Sequence, residues 1–555
     1  MNPKQPVANF WIADHALQRF ISRRLPPVLL ESAERQLIEM GEQAVKFFDP
    51  RAALADRHTP VLRNYDRYGN RVDEIDFHPA YLDMVERAYG AGLVALHYDE
   101  QMRTHYGYIP YTFSLTLCYL FAQAESGLFC PVCMTDGAAR VLTKFADENL
   151  KRRFLPRLTA RKRADLYQGA MFLTEQQGGS DVGANTTRAV RAERGWQLYG
   201  RKWFCSNAGA EVMLVLARPD GAHDGTRGLG LFLVPKWLDD GTRNNYRIDR
   251  LKDKLGVRSM PTGEVTFEGT FAYAVGNVER GFAYMAEMIN LSRLYNAVAS
   301  VAIMRRAVYE AVAHASTRSA FGRLVIEFPL MQRTLADLIV EQQAAFQILF
   351  EGVRLIDLID NNQSDTTTER QLRLLTPLIK YYTARQAVWA ASEAMEVLGG
   401  NGYIEEFVTA RLLRDAQVLP IWEGTTNILT LDAVRAMTKE EAHEPLLAAI
   451  RERLNTPEAQ ALGTEVMAVG TGLETLLQRL RRLLEGRPED IFAAREVTDE
   501  LVRLVEASLL VAAADDEPAR ARARYFLAKH FGTGARPELA NIIVASESAA
   551  IMQAE

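Results

Sequence analysis

Cysteine is scarce, with Cys118, Cys130, Cys133 and Cys205 the only four in 555 residues. So few thiols cannot staple a chain of this size, which excludes a disulfide scaffold. Cys130-Pro131-Val132-Cys133 has redox spacing, but it lies in an apolar stretch without a strand-helix-strand pattern, and no second pair completes a zinc site. Buried thiols and no metal are the expectation. The chain also lacks any run of about 18 apolar residues, and Met1-Asn2-Pro3-Lys4-Gln5-Pro6 has no basic region leading into an apolar one. Neither a membrane span nor an export signal is expected, and the chain reads as cytoplasmic. A formal net charge of -5 provides no general pull toward nucleic acid or an anionic membrane. Fixed-period repeats and low-complexity tracts are absent too.

What is present is enough chain for about three or four domains. Residues 1–168 read as mainly helical, because Leu30 to Phe48, Ala80 to Tyr98 and Tyr111 to Gly127 repeat apolar residues at spacings of three and four. Between the first two, Thr59 to Phe77 is rich in Asn, Asp, Arg and Gly and reads as a surface excursion whose tyrosines could anchor it to a neighbour. Residues 169–280 change texture. Short runs at 197–199, 212–216, 230–234 and 264–267, separated by Gly, Asp, Asn and Pro, predict a small β-domain.

Helical periodicity returns in residues 281–437. Leu291, Leu294, Val298, Val301, Met304, Val308 and Val312 share one stripe, and further long helices are predicted from about Met331 to Ile359 and from about Leu374 to Leu398, which together imply an antiparallel bundle. Residues 438–555 continue as an additional helical domain, broken at Gly486-Arg487-Pro488.

The most informative stretch is Pro420-Ile421-Trp422-Glu423-Gly424-Thr425-Thr426-Asn427. It sets one carboxylate between large apolar residues and a glycine, where desolvation favours a general base. Gly424 permits close backbone approach, and Thr425, Thr426 and Asn427 offer groups for a phosphate or a helix N-cap. Taken alone, the stretch also fits an ordinary capped helix start.

Motifs elsewhere favour the catalytic reading. Met171-Phe172-Leu173-Thr174-Glu175-Gln176-Gln177-Gly178-Gly179-Ser180-Asp181 resembles the Thr-Glu-Pro-x-x-Gly-Ser-Asp flavin segment of acyl-CoA dehydrogenases. Lys202-Trp203-Phe204-Cys205-Ser206-Asn207, Lys254-Leu255-Gly256-Val257-Arg258, Arg318-Ser319-Ala320-Phe321-Gly322 and Gly399-Gly400-Asn401-Gly402-Tyr403 follow in that family's order, and Glu423-Gly424-Thr425 completes it. Phe77-His78-Pro79-Ala80, Leu251-Lys252-Asp253-Lys254 and Ile421-Trp422-Glu423-Gly424 resemble its AidB-like, alkylation-response branch. The resemblance implies the acyl-CoA dehydrogenase fold: an N-terminal helical domain, a β-barrel-like middle domain and a helical bundle, here with the extra C-terminal helices.

It also implies FAD as cofactor. Met171, Phe172, Leu173, Thr174, Gly179 and Ser180 would wrap the flavin, with Thr174 at the pyrimidine end. Ser206 would bond near N5, beside Cys205. Phe204 stands where the family commonly has Trp and keeps the apolar stacking. Arg318, Phe321, Gln332, Glu396, Gly399 and Gly400 would hold the adenosine diphosphate end. Glu396 replaces the usual glutamine and brings a negative charge that a cation must offset, with Arg318 of a second subunit the implied partner. Pro329-Leu330-Met331-Gln332 departs from the usual Gln-x-x-Gln. Ile421, Trp422, Gly424, Thr425 and Asn427 would complete the cofactor surroundings.

Glu423 would remove the α-proton of an acyl-CoA thioester while the β-hydrogen leaves as hydride to the flavin, and Ser180 and Arg293 would touch the substrate. A homotetramer is implied, whereas acyl chain length and the electron acceptor, electron-transferring flavoprotein or another, stay open. The alternative is an AidB-type protective flavoprotein that binds DNA or sequesters an acyl ligand with little turnover. A same-fold oxidase or monooxygenase is opposed by Glu423, which such enzymes generally lack. DNA binding is not supported by charge, since residues 441–555 hold 13 Lys and Arg against 19 Asp and Glu, a net of -6. Arg479-Leu480-Arg481-Arg482 and Arg520-Ala521-Arg522-Ala523-Arg524 are the clusters that could gather on one face.

Overall fold

The computed structural model describes residues 7–487, 489–532 and 537–552, so the opening Met1 to Pro6 and Pro488 of the expected helix break lie outside the described residues. Packing sorts the chain into two units. One comprises residues 31–109 and 114–295, the other residues 1–30, 110–113 and 296–555. Among the described residues, no helix is long and apolar enough to cross a membrane, and no cluster of three or more His, Cys, Asp or Glu could hold a metal ion. Cys118, Cys133 and Cys205 are buried and Cys130 is half-buried.

In the unit of residues 31–295, the segment expected as a surface excursion is an antiparallel hairpin of β1 (Val61–Tyr65) and β2 (Arg71–Asp76). Charged residues on both faces concealed its strand character. Asp73, rather than a tyrosine, ties it down by accepting the Asn64 amide, the Arg71 guanidinium and the Ile248 backbone N–H at 2.8–3.0 Å. Tyr65 and Tyr68 remain exposed.

The same unit holds a barrel-like sheet of β3 (Gly169–Phe172), β4 (Arg188–Ala192), β5 (Gly195–Ser206), β6 (Val212–Pro219), β7 (Gly230–Pro235), β8 (Tyr246–Leu251) and β9 (Thr262–Ala274). The order is β3-β6-β4-β5-β9-β7, with β8 also on β9, and β7 pairs back to β6. Phe172, Leu198, Cys205, Val215, Phe232 and Phe267 fill its interior. β4 and β8 escaped the pattern because their half-exposed alternation carries arginines. Helix Phe129–Phe145 lies against β3, where the Gly169 N–H donates to Thr135 Oγ1 at 3.0 Å.

The other unit is built on the helices Gly281–Thr317, from residue 296 onward, Pro329–Asp360, Thr366–Leu398 and Thr426–Glu440. The third begins earlier than its apolar pattern predicted. Asp365 caps it by accepting the Thr368 N–H at 2.7 Å, so the polar Thr366–Arg373 turns are helical. Residues 110–113 dock into this unit through Asp357, which accepts the N–H groups of Tyr111 and Thr112 at 2.5 and 3.0 Å.

The C-terminal helices Ala494–Ala512, Glu517–Phe531 and Pro537–Met552 all pack on Pro329–Asp360. Tyr381 donates to Asp499 and Tyr525 to Asp337, each at 2.9 Å. Arg19 and Arg23, on helix His15–Arg24, form ion pairs with Asp516 and Asp515.

Candidate functional site

In the barrel unit, β3 leads into the expected flavin segment. Met171 and Phe172 are buried on the strand, Leu173 and Thr174 are half-buried, and Gly179 and Ser180 are exposed in the following loop. A Cβ on Gly179 would lie 2.5 Å from Thr174 Oγ1, so the loop folds back on Thr174 only with glycine there. The Trp203 N–H donates to the Thr174 carbonyl at 2.9 Å and joins this loop to the end of β5.

Along β5 the alternation is broken by a register shift between Lys202 and Cys205. Both of these are buried, whereas Phe204 between them is 55% exposed. Ser206, half-buried, ends the strand opposite Thr262 of β9. The Cys205 thiol faces the barrel core, where burial pushes its pKa up, so any part it plays toward a cofactor is through its backbone. Arg293 is half-buried on helix Gly281–Thr317 beside Asn290.

The pair that supports this surface was not foreseen. Lys202 Nζ lies 2.8 Å from Glu175 Oε1, and both side chains are buried. Glu175 also accepts the backbone N–H and hydroxyl groups of Thr186 and Thr187 at 2.6–3.0 Å. Burial by itself would raise this carboxyl, but the Lys202 charge and these donors outweigh it and hold its pKa at about 2. A charged pair interrupting an apolar strand and its turn was the available signal.

In the bundle unit, β10 (Ser319–Ala320) and β11 (Arg323–Leu324) form a hairpin through Phe321 and Gly322, both at positive φ, which leaves Phe321 97% exposed. Arg318 precedes it. Its guanidinium stands beside Gly399, with Nη1 3.7 Å from where a Cβ would lie, and open space surrounds the Gly400 position. Among the described residues, Arg318 pairs with no carboxylate and contacts His314 Nε2 at 3.5 Å. Glu396 is exposed and forms no ion pair with Arg318. Arg318 and Gly399 therefore meet within one chain. Gln332 is half-buried in the first turns of helix Pro329–Asp360, where its N–H bonds the Phe328 carbonyl at 2.9 Å.

Glu423 is half-buried in the turn before helix Thr426–Glu440. Ile421 and Trp422 both donate to the Val418 carbonyl, at 2.9 and 3.1 Å, and the chain then passes through two left-handed residues, Glu423 at φ +56° and Gly424 at φ +103°. For a glutamate that conformation costs on the order of 1 kcal/mol or more and requires support from outside the turn. Lys380 provides it, donating to the Trp422 and Gly424 carbonyls at 2.6 and 2.7 Å. Ile421, Thr425 and Asn427 are exposed, Thr425 makes no side-chain cap bond, and the buried Trp422 indole N–H meets no acceptor among the described residues.

The C-terminal basic clusters are largely engaged internally. Arg479 pairs with Glu500, Arg524 with Glu465 and Glu547, and buried Arg522 donates to the Ile551 carbonyl at 3.0 Å. Arg481, Arg482 and Arg520 are the exposed members.

Comparison with known proteins agrees with this geometry. Residues 1–164 match the adaptive response protein AidB N-terminal domain, residues 170–270 the acyl-CoA dehydrogenase middle domain, and residues 279–438 the acyl-CoA dehydrogenase C-terminal domain. Acyl-CoA dehydrogenase family member 11 of Caenorhabditis elegans is 32% identical over 91% of this chain and 84% of its own length. AidB of Escherichia coli (strain K12) is 32% identical over 90% of this chain and 89% of its own length. The crystal structure of Caenorhabditis elegans ACDH-11 in complex with C11-CoA superposes with a TM-score of 0.89 at 29% identity, covering 99% of this chain and 96% of that one. The chain belongs to the acyl-CoA dehydrogenase family, in its AidB-like branch.

Proposed function

We propose that this protein is an FAD-dependent acyl-CoA dehydrogenase in which Glu423 takes the α-proton of an acyl thioester. The observation that carries the reading is Glu423 itself, a half-buried carboxylate held in a left-handed turn between two carbonyls that a buried lysine fixes. An outlying backbone maintained by its surroundings is where catalytic groups concentrate. FAD, when bound, supplies the two-electron acceptor for the β-hydrogen.

The residues fit that cofactor. Phe204 offers an exposed aromatic face at the end of β5, Ser206 a hydroxyl beside it, and Thr174 a polar edge steadied through Trp203. Arg318 offers a guanidinium that pairs with no carboxylate among the described residues, beside the open Gly399-Gly400 corner, which suits a pyrophosphate. Glu423 would hold the abstracted proton, and its backbone N–H is a candidate donor to charge developing on the thioester oxygen. Ser180 and Arg293 would meet the thioester and its CoA. The worm relative solved with C11-CoA supports an acyl thioester as ligand.

Exposed Phe321, Leu330 and Tyr403 support self-assembly, for which the family resemblance implies a homotetramer. The four thiols suit a reducing, cytoplasmic setting, and an acyl-CoA substrate would place the protein in fatty acid metabolism.

The test is anaerobic titration of the flavin-loaded protein with short, long and branched acyl-CoA thioesters, with Glu423→Gln as control. Bleaching of the oxidised flavin by one class, abolished in the variant, is expected. Bound FAD that no thioester bleaches would overturn the dehydrogenase reading and direct attention to acyl storage or DNA.

A further inference from the structure

Lys380 lies in the middle of helix Thr366–Leu398, flanked by Leu378, Ile379 and Tyr381, and is fully buried. A buried ammonium loses its hydration and keeps its charge only when acceptors replace the lost water. Here two backbone carbonyls take that place, Trp422 at 2.6 Å and Gly424 at 2.7 Å, at the lengths of charge-assisted bonds. They belong to the residues on either side of Glu423, in the peptide before Glu423 and the peptide after Gly424.

Two directions follow from this clamp. Holding the peptide before Glu423 and the peptide after Gly424 restricts the intervening backbone, which runs at φ +56° and then +103°, and so constrains the bearing of the Glu423 Cα–Cβ bond. In a planar trans peptide the N–H points opposite the C=O. With the Trp422 carbonyl aimed at Lys380, the Glu423 N–H is aimed away from that helix. Leu419, earlier in the same turn, is also held, its carbonyl accepting the buried Asn296 amide at 3.2 Å.

We infer that Lys380 is the positioning residue of the candidate base: its ammonium clamps the carbonyls that bracket Glu423 and thereby orients both the carboxylate and the backbone N–H of that residue. This rests on the reading of Glu423 as base, and it assigns Lys380 no proton transfer and no contact with substrate.

The test compares wild type with Lys380→Met and with Lys380→Gln, which keeps a donor and loses the charge, both as flavin-loaded holoproteins. Lys380→Met should bleach on the order of 100-fold more slowly at saturating thioester, the scale of a small misplacement of a reacting group, with half-saturation and FAD content unchanged, and Lys380→Gln should recover part of the rate. A merely structural lysine would change FAD content or half-saturation instead. Crystal structures of the variants read the clamp without reference to activity, and Glu423 should leave the left-handed region in Lys380→Met.

If wild type bleaches with no thioester, the dehydrogenase reading fails and the crystal structures alone decide the clamp. A Glu423 φ that stays near its wild-type value, or a Lys380→Met rate within about threefold of wild type, would overturn the inference. Should Lys380→Met fail to fold, Lys380→Gln carries both readouts.

Discussion

Glu175 and Lys202 form a buried ion pair, 2.8 Å between Oε1 and Nζ, that ties the loop after β3 to the exposed end of β5. Thr174 adjoins one partner, while Phe204 and Ser206 follow the other, so the pair sets the spacing of the proposed flavin surface. Removing either partner strands a buried charge. Lys202→Met or Glu175→Gln should cost about 3–5 kcal/mol in urea unfolding and lower the flavin bound per subunit. Because the folded Glu175 pKa is held at about 2, below the ordinary carboxylate value, its contribution is complete above that ordinary value and fades as pH falls toward 2.

Glu506 should behave in the opposite sense. It is fully buried, neither oxygen meets a donor at hydrogen-bond geometry among the described residues, and burial, followed by nearby Glu341, pushes its pKa up against the opposing Arg503 charge and the Gln386 amide. The unfolded chain ionises this group first, so folding stability should decline as pH rises from the ordinary carboxylate range toward the raised value. Glu506→Gln should remove that slope and stabilise the protein by about 1–3 kcal/mol near neutral pH, read from unfolding midpoints across a pH series. Glu341, by contrast, is held at about 2, because burial is outweighed by His530 and Lys529 at 2.7 and 2.8 Å.

Arg318 offers a separation of cofactor binding from folding. Among the described residues its guanidinium hydrogen-bonds only to His314, so Arg318→Gln should leave stability within about 0.5 kcal/mol of wild type. Flavin should nevertheless dissociate more readily, measured as FAD retained after gel filtration at rising salt. Unchanged retention would remove Arg318 from the proposed pyrophosphate contacts.

Phe204 should respond to shape more than to polarity. Phe204→Trp is expected to retain flavin, whereas Phe204→Ala should weaken it by about 0.5–1.5 kcal/mol beyond the lost contact area, measured by flavin fluorescence titration of apoprotein. Cys205→Ala, in the barrel interior, should lower stability without changing the flavin spectrum.

DNA binding should be weak and non-specific. With Arg479, Arg522 and Arg524 engaged internally, Arg481, Arg482 and Arg520 leave about three phosphate contacts from these two clusters, which predicts a log–log salt slope of no more than about -3 from them. Fluorescence anisotropy with duplex DNA between 50 and 200 mM salt, both about the range where such contacts are lost, measures it. A steeper slope would show a basic surface assembled from several chains.

The residues that recur in order, from Thr174 through Lys202, Ser206, Arg318 and Gly399 to Glu423, made the family legible from the amino-acid sequence alone. Short-range patterns did the same for most helices and for β5, β6, β7 and β9, because a half-buried element writes its period into neighbouring residues. The tertiary structure decided what depends on distant segments meeting. Asp73 anchors a hairpin that composition presents as a loop, Asp365 starts a helix ahead of its apolar stripe, and the C-terminal helices share a core with the bundle. Lys380 and Glu423 belong to elements whose local sequences carry no sign of each other. A clamp made of one side chain and two backbone carbonyls leaves no pattern at the carbonyl end, since every residue there has the same carbonyl and only the fold selects which two are held.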